Sequence, residues 1–98
     1  QWRITGMIDF GDAMIGIRDY DFLGPCLFMG EGDPALIDGL FAAYGRASPC
    51  GDASLRTRLL LLAILHRYSN LRMQIRIDQW PSRVRTMREL EDLVFGGR

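Results

Sequence analysis

At 98 residues, 48% of them apolar and 24% charged, the chain has the make-up of one ordinary globular unit rather than a disordered or fibrous protein. Twelve basic residues, all arginine, offset twelve acids to give zero formal net charge, so there is no general electrostatic case for nucleic acid or an anionic membrane as partner. The apolar run 59–65 is bounded by Arg58, His66 and Arg67, far short of the roughly 20 residues that span a bilayer.

Charge is unevenly placed along the chain. Residues 1–53 hold eight acids against Arg3, Arg18 and Arg46, whereas residues 54–98 hold nine arginines against four acids. Two readings are open: helix faces that neutralise one another across the fold, or an acidic site for a metal and a cationic substrate. Cys26 and Cys50 are the only cysteines; without a signal peptide or a C-x-x-C spacing they read as reduced, structural thiols of a cytoplasmic protein. The sequence opens at Gln1 with neither a basic n-region nor an apolar h-region, the mark of a segment cut from something longer.

In chain order, Trp2, Ile4, Ile8 and Phe10 alternate and predict a short strand. A lone strand needs a pairing partner from outside the segment or from a second copy of the chain. Residues 11–18 form a loop of small residues. Asp19 and Asp21 then precede an apolar run, predicting a short helix to about Met29, late-starting or kinked because of Pro25. Asp33 as N-cap and Pro34 at the first helical position open the next helix, whose face is Leu36, Ile37, Leu40, Phe41 and Tyr44 and whose stop is Gly45. After a loop over 46–51, Asp52 or Ser54 caps a long, strongly apolar helix that runs through His66 to about Ile75. A break at Trp80-Pro81-Ser82 precedes a last helix that opens on the capping box Thr86-Met87-Arg88-Glu89 and closes at Gly96-Gly97.

Chemistry concentrates in Gly6-Met7-Ile8-Asp9-Phe10-Gly11-Asp12-Ala13, followed by Asp19-Tyr20-Asp21-Phe22. A strand ending in Asp-Phe-Gly presents a carboxylate at its tip, where a hard divalent cation can be held beside nucleotide phosphates. Other signals fail on their own terms. Gly30-Glu31-Gly32-Asp33-Pro34-Ala35 imitates a phosphate loop, but no strand precedes it and Pro34 lacks an amide donor. The acids from Asp19 onward do not make a calcium loop, because the twelfth position is Gly30. His66, set among leucines with no second histidine, reads as a core or boundary histidine rather than a zinc ligand.

The string I-D-F-G-D-A with its following acid-aromatic-acid resembles the aminoglycoside phosphotransferase and choline-kinase-like family. The helix ending Phe41-Ala42-Ala43-Tyr44 and the segment His66-Arg67-Tyr68-Ser69-Asn70 resemble that family's helical C-terminal lobe. The resemblance implies a mainly α fold with one N-terminal β-strand, the C-terminal helical part of an α+β protein-kinase-like fold. Residues 1–18 would be its metal-binding strand and loop, and 19–98 its helical subdomain. It implies Asp9 as a magnesium ligand with Asp12 as a second candidate, Asp21 as a structural support of the site, and ATP or GTP as phosphate donor in the intact enzyme. The acceptor would be a small hydroxylated molecule; the resemblance favours aminoglycosides, with choline, homoserine, other sugars and macrolides open.

The family's His-Gly-Asp loop and its asparagine lie upstream of the strand, whereas His66 and Asn70, the sole residues of their types, lie downstream; no lysine is present to anchor phosphates. The chain is therefore expected to bind neither cofactor and to be inactive in isolation. The reading from a different class is a non-catalytic helical module that self-associates or binds a protein partner, a homodimer through the unpaired strand or the apolar helix being one form of it.

Overall fold

The structure, a computed structural model, describes residues 1–9, 11 and 15–96. A 3₁₀ turn at Arg18–Phe22 and a single π turn at Gly24–Phe28 lead into helices α1 (Pro34–Ala43), α2 (Ala53–Leu65), α3 (Leu71–Gln74), α4 (Trp80–Arg83) and α5 (Met87–Val94). Among the described residues the fold is wholly helical.

The two helices with the strongest sequence signals form as expected. The Asp33 carboxylate accepts hydrogen bonds from the amides of Ala35 (2.9 Å) and Leu36 (3.4 Å), satisfying donors that the first turn of α1 leaves open. Beyond Tyr44, Gly45 takes a left-handed φ of 67° and the chain turns away. At α5 the capping box is complete: the Glu89 amide donates to the Thr86 hydroxyl at 3.1 Å, and the Glu89 carboxylate accepts from the Thr86 amide at 3.1 Å. That carboxylate also accepts from the Arg85 amide at 2.6 Å. The Arg85 and Thr86 amides together hold Glu89 below its ordinary pKa.

Four expectations are corrected. Residues 1–9 form no strand, and Trp2, Ile4 and Ile8 stand 101%, 89% and 91% exposed; Phe10, which would end the strand, lies outside the described residues. The cause is the lack of a neighbour, since alternating side chains and backbone groups make a strand only against a second strand. The short helix before Met29 divides into a 3₁₀ and a π turn around Pro25, which has no amide for a regular ladder. The long helix ends at Leu65 rather than Ile75, because His66 turns to ψ 138° and its ring, rather than a helical carbonyl, takes the Tyr68 amide. The Trp80-Pro81-Ser82 break is itself a helical turn, α4, entered through the left-handed Gln79 at φ 51°. Asp52, not Ser54, caps α2, accepting from the Leu55 amide at 3.0 Å.

The core lies where α2 meets the 3₁₀ turn on one side and α5 on the other. Phe22, Leu23, Leu27, Ile37, Phe41, Leu59, Leu60, Val94 and Phe95 are all buried in it. The rings of Phe22 and Phe41 stack with centroids 4.4 Å apart, joining the 3₁₀ turn to α1. Burial pushes the Cys26 thiol up to about 12, with buried Cys50 adding to the effect, so Cys26 stays protonated and inert at neutral pH. Gly32 explains the glycine-rich imitation of a phosphate loop. At φ +78° a Cβ there would meet the Leu93 carbonyl oxygen at 2.5 Å, so the glycine lets the turn before α1 close against α5.

Phe41→Ala should cost about 3–5 kcal/mol, a large share of the roughly 5–15 kcal/mol that holds a domain of this kind, whereas Thr86→Ala should cost about 1 kcal/mol. Urea unfolding followed by circular dichroism checks both: each variant should lower the midpoint, and the Phe41 variant's drop should be several times that of the Thr86 variant.

Candidate functional site

Asp9 sits at the end of the extended N-terminal segment with φ 68°. This left-handed backbone is uncommon for a residue with a side chain, and aspartate is among the few that tolerate it. Its side chain is exposed, and among the described residues its carboxylate has no hydrogen-bond or ion-pair partner. Gly11 follows closely enough that a Cβ there would lie 3.9 Å from Asp9 Oδ1. Held in a sparsely populated conformation, the carboxylate is uncommitted to the fold, an arrangement that clusters at functional sites. Asp12, the second metal candidate, lies outside the described residues.

Among the described residues no group of three or more His, Cys, Asp or Glu side chains comes together to hold a metal. That donor set fits one kind of ion better than another. Magnesium keeps several waters and is bound through one or two carboxylates plus substrate phosphates, without an all-protein cage. A single exposed aspartate at a loop suits that mode and suits neither structural zinc nor calcium.

Asp21 lies on the 3₁₀ turn, exposed, with no partner among the described residues. It lines a cavity of about 80 Å³ with Arg18, Phe22, Tyr44 and Arg46. Its carboxylate is available to a neighbouring segment.

The buried acid of this turn is Asp19, and its importance was not visible in the sequence. Burial alone would raise its pKa, but Arg46 Nη1 lies 2.7 Å from Oδ1 and Arg58 Nε donates to Oδ2 at 2.7 Å, and together they hold the carboxyl below its ordinary value. These contacts tie the turn after the Asp9 loop to the residues following α1 and to the middle of α2. Sequence separations of 27 and 39 residues explain why no local pattern revealed them.

On the other side of the turn, Tyr20 stacks flat on His66, with ring centroids 4.9 Å apart and planes 2° off parallel. Phe28 meets His66 edge-on at 6.1 Å. His66 is thus the half-buried boundary histidine expected, and aromatic rings of both turns engage it. No described helix is long and apolar enough to cross a membrane.

Residues 1–60 match the model of the phosphotransferase enzyme family, and the chain belongs to that family. Comparison with curated proteins and with solved structures gives no match.

Asp19→Asn keeps the shape of the side chain but removes its charge, and should cost about 1–3 kcal/mol. Because the folded-state pKa is depressed, the native carboxylate's contribution is complete above the unfolded value of about 3.9. It is lost as pH falls through the lower folded value. Thermal melts from pH 2 to 6 should show wild type gaining stability through that window by more than the Asp19 variant does.

Proposed function

We propose that this chain is the C-terminal helical part of the catalytic lobe of a kinase that transfers the terminal phosphoryl of ATP or GTP to a hydroxyl of a small molecule. The observation that carries it is Asp9: an exposed, uncommitted carboxylate at φ 68° inside an Asp-Phe-Gly segment, within the stretch that matches the family. Asp9 is the residue that would hold magnesium, with Asp12 beside it in sequence as a second candidate. When bound, the ion would neutralise charge on the phosphates during transfer. Asp21 is a support for the catalytic loop, its carboxylate being open to accept backbone amides from a segment laid across the 3₁₀ turn.

The exposed surface favours a part over a whole. The chain exposes 7236 Å², whereas a folded monomer of 11.2 kDa is expected to expose about 5,700 Å². The excess includes Trp2, Ile4 and Ile8, which have the alternation of a strand without a sheet. A strand supplied upstream would pair with residues 2–10 and aim Asp9 into the site. The chain contains no lysine and no His-Gly-Asp loop upstream of Asp9, so in this reading the catalytic base and the phosphate anchor are supplied by other parts of the protein. An aminoglycoside-like acceptor is favoured because the acidic first half of the chain complements a polycation.

A second reading is supported by the apolar side chains Leu61, Ile64 and Leu65 on α2, which are 51%, 41% and 79% exposed: a helical module that self-associates instead of catalysing.

Isothermal titration of the 98-residue chain with Mg-ATP should show no binding, and light scattering should report a monomer. A tight dimer would support the module, and micromolar nucleotide binding would mean the chain is more complete than proposed. In the protein translated from the whole reading frame around Gln1, phosphorylation of an aminoglycoside panel should be measurable, and Asp9→Asn should lower turnover by about 10²–10³-fold. Undiminished turnover in that variant would remove Asp9 from the site.

A further inference from the structure

We infer that His66 is a proton-operated latch on the turn between α2 and α3. The ring does two jobs. One face stacks on Tyr20 of the 3₁₀ turn, and Nδ1 accepts a hydrogen bond from the Tyr68 amide at 3.1 Å. An accepting Nδ1 carries a lone pair, so the neutral ring holds its proton on Nε2. Protonating Nδ1 converts that acceptor into a donor, and the Tyr68 amide must let go.

The same proton does not eject the ring. Imidazolium over the Tyr20 face is a cation–π pair, and His66 stands at the C-terminal end of α2, where the helix dipole favours positive charge. From Leu59 to Leu65, α2 carries no charged side chain. In the 3₁₀ turn Asp19 is committed to Arg46 and Arg58, and Arg18 and Asp21 are exposed. The π turn presents Phe28. Beyond the ring, Tyr68 lies 6.0 Å away with Arg67 over it at 4.6 Å. The Tyr68 carbonyl is held separately, accepting from Gln74 Nε2 at 3.0 Å, so acid frees one end of that residue while the turn after the Asp9 loop keeps its aromatic contact.

The chain has one histidine, so nuclear magnetic resonance of the full chain, recorded from about pH 5 to 8, reads the latch without ambiguity. At high pH the ring nitrogens should show Nε2 protonated and Nδ1 bare. On acidification the Tyr68 amide proton should shift with the same midpoint as the ring, the Ala63 amide should stay still, and contacts between the His66 and Tyr20 rings should persist. In His66→Phe, which keeps a flat ring but no acceptor, the Tyr68 amide should be flat across that range. A proton on Nδ1 at high pH, a Tyr68 titration that survives in His66→Phe, or loss of the Tyr20 contact in acid would each overturn the latch.

Discussion

Asp19 is the constraint on which the rest of the molecule depends. Its two oxygens are each 2.7 Å from a different arginine, one just past the end of α1 and one in α2. The turn that bears it also inserts Phe22 between Phe41 and Tyr44. Asp19 and Phe22 therefore join the turn after the Asp9 loop to both helices that follow. The carboxylate is buried while Arg58 remains half in water, with 52% of its side chain exposed. That partial exposure keeps the desolvation cost below that of a fully buried pair.

The same contacts bear on how charge is used along the chain. Acids dominate the first half of the sequence and arginines the second, and of the three ion pairs described only Asp19–Arg58 joins the two halves. Arg46 meets Asp19 within the first half, and Arg56 meets Asp92 within the second. Among these ion pairs mutual neutralisation across the fold accounts for one contact, and Asp9, Asp21 and Asp33 are each exposed. Asp33 is committed to the cap of α1. Asp9 and Asp21 are committed to nothing among the described residues.

What could be read from the sequence was local. Asp33-Pro34 and Thr86-x-x-Glu89 each place a capping side chain within three residues of the amides it serves, and both helices start where those residues put them. The Asp-Phe-Gly segment pointed to the family for the same reason, as a short string, and residues 1–60 match the phosphotransferase enzyme family. The strand over 2–10 was not realised because its stability resides in a partner segment, and alternation alone cannot supply one. The end of α2 was missed because no glycine or proline marks it; the helix stops where a histidine ring folds back onto its own chain. Asp19 was read as a helix-terminal acid, since nothing near it in sequence announces Arg46 and Arg58.

These outcomes separate two kinds of order in the molecule. From Arg18 onward the chain buries a continuous core, caps its longer helices and ties them to one carboxylate. Before Arg18 the described residues contribute exposed apolar side chains and one aspartate in left-handed backbone. A segment of that composition gains little by packing on a body whose facing surface offers no strand edge. It gains a great deal from a sheet, because pairing would satisfy its backbone and cover Trp2, Ile4 and Ile8 at once. The buried core thus draws nothing from residues 1–9, and what that segment lacks, partners for its backbone and cover for its apolar side chains, is what pairing in a sheet supplies.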